Sequence, residues 1–230
     1  MHLVQLQNTW RVNRLIHRFT LVVWLLAWLL LVLQSSGVYA QAQARLLVMG
    51  DSLSAAYGLP VEQGWVTLLQ QKLDAQKKET APSVMVINAS LSGETTSGGR
   101  QRLPGLLTQH QPKFVIIELG ANDALRGQDL RTTERNLADM IAMSQQQGAK
   151  VMLLGIRLPT NYGPAYDARL GQMYRDLAAR YQVALDPFFL EEIALAPDLM
   201  QDDGLHPNRA AQPLIMQRLW PQIQNLIANE

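Results

Sequence analysis

Outside its first 40 residues the chain has only two histidines, His110 and His206, and it has no cysteine at all. A general base working near neutral pH is most often an imidazole. The absence of cysteine excludes thiol nucleophiles, disulfides and thiolate metal sites together. His206 stands in Asp202-Asp203-Gly204-Leu205-His206-Pro207, just ahead of a helical pattern. An aspartate three residues earlier can turn back through Gly204 and hold one ring nitrogen, fixing the tautomer and stabilising the imidazolium. Asp203 has that spacing. Asp202 is its rival, and either could instead cap a turn or helix.

A nucleophile for such a base is found far upstream. Gly50-Asp51-Ser52-Leu53-Ser54 follows an apolar run directly, so a serine hydroxyl there projects from a sheet edge beside unpaired backbone N–H groups. Ser52 is the candidate, and Ser54, Ser90 and Ser92 compete, since serines in such loops commonly serve as turn or cap residues. No G-x-S-x-G occurs, which removes the nucleophile elbow of the common lipase fold. Acyl transfer also needs donors aimed at a developing oxyanion. The Ser52 N–H, the Gly93 N–H and the Asn122 side-chain amide can supply three, and Gly93 has no side chain to block close approach.

These residues must be brought together by elements far apart in the chain. Apolar runs suited to buried strands recur at Leu46–Met49, Val84–Ile87, Phe114–Leu119, Val151–Gly155 and, more weakly, Val183–Leu185. Between them Trp65–Leu73, a segment carrying Leu137, Met140, Ile141 and Ser144, Tyr166–Tyr181 and Ala210–Ile227 show helical spacing. Continuous apolar strands alternating with helices predict a parallel sheet covered on both faces, a three-layer α/β domain. Ligands of open parallel sheets bind beyond the carboxyl ends of the strands. Ser52, Gly93, Asn122 and Arg157-Leu158-Pro159 all follow strands, whereas His110 precedes one and is expected at the opposite end.

Residues 1–40 hold Arg11, Arg14 and Arg18 and no acid, followed by fifteen uncharged residues, Phe19 to Leu33, and then small and polar ones. This is the layout of a signal peptide, with cleavage expected near Ala40 or Ala42. The apolar run spans only about 22 Å of helix against a hydrocarbon core of about 30 Å. Export to the periplasm is the expectation, with the membrane met only in transit; an uncleaved inner-membrane anchor is the alternative. Taking those three arginines from the twenty basic residues leaves seventeen against nineteen acids, a formal charge of −2. A near-neutral body without a basic run gives no reason to expect nucleic-acid binding. The remainder, residues 45–228, is expected to be one domain and a monomer.

Four blocks carry a family resemblance. GDSLS around Ser52, Gly93 in NASLSG, Gly120-Ala121-Asn122-Asp123 and Asp203-Gly204-Leu205-His206 resemble, in order, the blocks of the SGNH or GDSL-type hydrolases. The longer stretches GDSLSAAYG, QPKFVIIELGANDALRG, IRLPTNYG, PFFLEEI and MQDDGLHPN resemble its bacterial periplasmic thioesterase and lysophospholipase members, over about residues 45–225. The resemblance implies a flavodoxin-like α/β/α fold with a five-stranded parallel sheet, and a Ser52–His206–Asp203 triad. It implies an oxyanion hole from Ser52, Gly93 and Asn122, no cofactor and no metal. The implied substrates are acyl-CoA thioesters, lysophospholipids, aryl esters and some amino-acid esters. Two positions depart from the pattern: Ala124, where a glycine is common, and Asp186, where an apolar residue is expected.

The Leu125–Asp129 loop and the Pro159–Pro164 loop are expected to wall the acyl chain, with Leu125, Arg126, Pro159 and Tyr162 as the substrate-binding candidates. Two other readings stand beside this one: a carbohydrate acetylesterase of the same superfamily, and a non-catalytic, membrane-anchored binding module. Nothing in the sequence supports a protease, which needs leaving-group protonation and an extended peptide site.

Overall fold

The computed structural model describes residues 43–76 and 83–228, together with Trp24. But for Trp24, the leader expected over residues 1–40 lies outside the described residues, and from Gln43 onward the chain forms one compact unit.

Parallel strands need both faces covered, and β1 (Ala44–Gly50) shows the result: Leu46, Leu47, Val48 and Met49 are consecutive and all fully buried. β3 (Phe114–Glu118) is buried along its whole length. β2 (Val84–Asn88), β4 (Lys150–Leu154) and β5 (Ala184–Asp186) complete a sheet of order β2-β1-β3-β4-β5 in which every pairing is parallel. The edge strands β2 and β5 are the most exposed.

Among the described residues from Gln43 onward, six helices accompany this sheet: α1 (Trp65–Ala75), α2 (Thr96–His110), the short α3 (Ala121–Leu125), α4 (Leu130–Gln146), α5 (Pro164–Tyr181) and α6 (Ala211–Ala228). Right-handed crossovers decide their layers. The step from β1 to β2 runs one way along the sheet, so α1 lies on one face. The steps to β3, β4 and β5 run the other way, which sends α2, α4 and α5 to the opposite face. The contacts agree, since α1 packs on α6, α2 on α4, and α4 on α5. β1 and β3 are therefore neighbours whose outgoing chains part in opposite directions, and the crevice at their carboxyl ends is the switch point of the flavodoxin-like order.

The five strands stand where the apolar runs predict them, and three of the helices start and stop within about two residues of expectation. Two elements differ. α2 has no apolar periodicity to announce it, because Gly98, Gly99, Pro104 and Gly105 dilute the pattern. It forms nonetheless, with the Thr95 hydroxyl capping Gly98 N at 3.3 Å and Gly99 letting the helix close onto the sheet. A Cβ at Gly99 would come within 2.5 Å of Leu119 Cδ1. The second correction concerns the segment after Asn122: Leu125, expected in a loop, closes α3, and Ala124 is fully buried in that helix. A methyl group there fills space that a glycine would leave empty, and alanine favours the helix over glycine.

Asp186, anomalous as an apolar position, has a physical account. Its fully buried carboxylate accepts from Arg218 Nε (3.1 Å), Arg218 Nη2 (3.3 Å), Gln222 Nε2 (2.8 Å) and its own chain at Phe188 N (3.0 Å). It pins α6 to the end of β5. Arg218 keeps Glu191 at 3.1 Å when this carboxylate is removed, so the loss is that of charged hydrogen bonds, about 1.5–3 kcal/mol. Asp186→Ala is expected to lower the unfolding free energy by about that much in urea titrations, and a midpoint equal to wild type would show that the pair adds nothing.

Candidate active site

Ser52 is carried by a tight turn directly after β1. The turn closes through Ala55 N to Asp51 O (2.9 Å) and Tyr57 N to Ser52 O (3.2 Å). Its first residue is set by side-chain bonding, as Asp51 Oδ1 accepts from Leu53 N at 3.0 Å. The chain can reach this conformation only if Gly50 stays bare: a Cβ there would lie 2.7 Å from Ser54 Cβ and 2.8 Å from Glu118 Oε2.

The imidazole arrives from the other end of the chain. Met200 pairs antiparallel with Pro207, and Gln201 N donates to His206 O at 2.7 Å, so the loop is a closed finger. Within it Asp203 folds back through Gly204, at φ 63°, as its spacing predicts. Asp203 Oδ1 accepts from Leu205 N and His206 N, both at 2.9 Å, and Oδ2 lies 2.6 Å from His206 Nδ1. His206 Nε2 lies 2.9 Å from Ser52 Oγ, 154 residues away in the chain. The rivalry with Asp202 is resolved by geometry, because Asp203 alone is bonded to the ring. Burial acts to raise the Asp203 carboxyl, but the bonds from the His206 backbone, its imidazole and Leu205 outweigh it and hold the group at about 2. His110 closes α2 at the amino end of the sheet, where its carbonyl accepts from Arg45.

The sequence-predicted oxyanion donors gather at the same crevice. Asn122 is in the first turn of α3, right after β3, and its Nδ2 donates to Asp51 Oδ2 at 3.0 Å. Gly93 follows β2 in a turn at φ 78°, which favours glycine. That turn is tied to the nucleophile strand by Leu91 N to Gly50 O, at 3.1 Å. Arg126, a substrate-binding candidate, donates to Gly93 O at 3.1 Å and ties the end of α3 to the Gly93 turn. Of the remaining candidates, Tyr162 donates to Leu125 O at 3.1 Å, joining the two expected walls, while Pro159 is exposed at the start of its turn.

Three functional neighbours lie beyond the reach of sequence reasoning. The Tyr57 ring stacks on His206 with centroids 4.4 Å apart, although the tyrosine itself is half exposed. Asp51 and Glu118 are both buried beneath the nucleophile turn. Glu118 Oε2 accepts from Ser54 Oγ (2.8 Å) and Asp51 N (3.2 Å). Burial drives the Glu118 carboxyl well above its ordinary range, helped by the neighbouring Asp51 charge. Burial also lifts Asp51, to about 6, against the opposing bonds from Leu53, Glu118 and Asn122 and the attraction of His206. Their sequence signal was only position, one beside the serine and one at the end of a buried strand. Among the described residues no cluster of three or more histidines and acids could hold a metal ion.

Similar proteins bear on this arrangement. The esterase TesA of Pseudomonas aeruginosa is 47% identical over 188 residues, spanning 81% of this chain and 92% of that protein. The thioesterase 1/protease 1/lysophospholipase L1 of Escherichia coli K12 is 42% identical over 207 residues, 90% of this chain and 95% of its own. The crystal structure of the psychrotrophic esterase EstA from Pseudoalteromonas, inhibited by monoethylphosphonate, matches with a TM-score of 0.76 at 43% identity. It covers 81% of this chain and 100% of that one. The GDSL-like Lipase/Acylhydrolase family matches residues 48–213, a span that runs from the nucleophile strand past His206. On that span and these identities, the chain belongs to the GDSL-like lipase/acylhydrolase family.

Proposed function

We propose that this chain is a serine hydrolase of carboxylic esters and acyl thioesters that works through an acyl-enzyme on Ser52. The observation that carries the reading is the unbroken line from Ser52 Oγ through the His206 ring to Asp203, at 2.9 and 2.6 Å. In the first half-reaction His206 Nε2 takes the Ser52 proton as Oγ attacks the acyl carbonyl. The oxyanion is met by the Ser52 and Gly93 N–H groups and the second N–H of Asn122. The tetrahedral centre collapses with loss of the alcohol or thiol, which receives the proton from His206. Water then repeats the cycle and frees the acid. With its carboxyl at about 2, Asp203 is ionised near neutral pH, so it stabilises the imidazolium that forms when His206 takes the serine proton.

The rim of the crevice favours an acyl chain over a sugar. Tyr57, Leu91, Leu205 and Tyr162 are all substantially exposed, beside His206, Gly93, His206 and Leu125 respectively. Each methylene buried there is worth about 0.8 kcal/mol. The names carried by the relatives, esterase and thioesterase 1/protease 1/lysophospholipase L1, agree with ester and thioester substrates. The basic-then-apolar leader supports export to the periplasm, and no helix among the described residues is long and apolar enough to cross a membrane.

Two measurements check this reading. Ser52→Ala is expected to remove nearly all turnover of p-nitrophenyl esters and palmitoyl-CoA while leaving the circular dichroism spectrum unchanged; wild-type rates would reject the nucleophile. Asp203→Asn, which loses the charge that fixes the ring, is expected to lower kcat by roughly 10²- to 10⁴-fold. For the acyl wall, Leu125→Ala and Tyr162→Ala are expected to lower kcat/KM for octanoate esters at least tenfold more than for acetate esters. An equal loss on both would remove the wall from these residues.

A further inference from the structure

An oxyanion donor is useful only if its N–H is already aimed before charge develops, because reorienting it during the reaction would forfeit the gain. A primary amide on a side chain is free to rotate about its terminal torsion unless something holds it. Asn122 is held from one side. One of its two amide protons goes to Asp51 Oδ2 at 3.0 Å, which leaves the other for the crevice. Asp51 is itself immobilised: it is buried, its Oδ1 is engaged by Leu53 N, and its carboxylate meets the Glu118 carboxyl. Glu118 in turn sits on β3 opposite Gly50 and is bonded by the Ser54 hydroxyl and Asp51 N.

We propose that Asp51, backed by Glu118, is the positioning residue of the oxyanion hole: it acts through Asn122, presenting that amide to the reacting carbonyl. The inference deepens the hydrolase reading and rests on it, since it assumes that Asn122 meets an oxyanion.

The proton arrangement follows from satisfying every atom. Two buried carboxylates in contact do not both ionise, and the proton settles on the one whose charged form its surroundings disfavour more. Glu118 is that group, pushed furthest up by burial, and Asp51 is left as the anion. A protonated Glu118 donates to Asp51 while accepting from Ser54, and Asp51 then has only acceptors to offer Leu53 and Asn122. The donors converge: Ser54 gives to Glu118, and Glu118, Leu53 N and Asn122 all give to Asp51. The same Asp51 also bonds Leu53 N, but the turn that carries Ser52 is held besides by the bonds of Ala55 N and Tyr57 N to Asp51 O and Ser52 O, so the loss of the carboxylate bears chiefly on Asn122.

The test is kinetic and uses the full exported enzyme. Asp51→Asn is nearly isosteric but must turn a donor toward either Leu53 N or Asn122 Nδ2. It is expected to lower kcat on p-nitrophenyl butyrate 10- to 100-fold, with KM changed less than threefold. In an Asn122→Ala background the same change is expected to cost less than threefold, because the amide it orients is gone. Glu118→Gln keeps a donor toward Asp51 and an acceptor toward Ser54, so it is expected to keep at least a third of wild-type kcat, whereas Glu118→Leu falls with Asp51→Asn. Equal losses for Asp51→Asn with and without Asn122 would overturn the proposal, as would a folded Glu118→Gln that is as inactive as Glu118→Leu. The glutamine variant decides the matter even if Asp51→Asn fails to fold. Any of these results leaves the hydrolase reading standing, which falls only with an active Ser52→Ala.

Discussion

Where β1 and β3 lie side by side, Gly50 is the partner of Glu118, and the two chains then leave in opposite directions. That single pairing decides what the crevice can contain. It puts Ser52 two residues beyond one strand and Asn122 four beyond its neighbour, close enough for a side chain to bridge the gap. It also forces a glycine at position 50, since the space its Cβ would take is filled by Ser54 and by the carboxyl that crosses beneath the turn. Ser52 and Asn122, the proposed nucleophile and oxyanion amide, are thus fixed by sheet register, the least adjustable feature of the fold.

The crevice is costly to build. Asp51, Ser54, Glu118 and Asp123 are all buried within it, and each would be destabilising without partners. None is without one. Asp123 accepts from Thr96 N (2.8 Å) and the Thr96 hydroxyl (2.5 Å), so α3 is also the anchor for the start of α2. Polar groups that specify a site here also lock together the loops that follow β1, β2 and β3. A rigid crevice of this kind suits a reaction whose charge appears at one fixed atom.

The parts of the molecule legible in the sequence are those whose signal is local. Leu46–Met49 and Phe114–Leu119 announce buried strands because, Glu118 apart, every residue in them avoids water. Asp203 and His206 announce themselves because their contact closes within four residues. Ser52, Gly93 and Asn122 could be placed at one sheet edge, and family blocks picked them from among several equivalent serines and turn residues. What was not legible is what depends on tertiary partners. Glu118 reads as a charged interruption at the end of a strand until Ser54 and Asp51 are set beside it. Asp186 reads as an anomaly until Arg218, 32 residues later, reaches it. Arg126 reads as a solvated loop cation, yet its partner is a backbone carbonyl, which has no side chain for a pattern to detect. α2 fails to announce itself because the glycine that spoils its periodicity is the one its packing requires.

The two halves of the reacting constellation are therefore stabilised in different ways. Ser52 and the Asn122 amide are held by register and by buried carboxyls, from several elements at once. His206 and Asp203 form a self-contained finger, closed by the Met200–Pro207 bridge and docked by the Ser52 hydroxyl, the Tyr57 ring and Gln201 Nε2 to Tyr57 O at 2.8 Å. Tyr57 belongs to the same turn as Ser52, so the finger is seated on the very segment that carries the hydroxyl its imidazole meets. A shift of that turn carries Ser52 and His206 together, while Asp51 ties the turn to Asn122. Alignment of three distant segments is thereby reduced to the conformation of one turn.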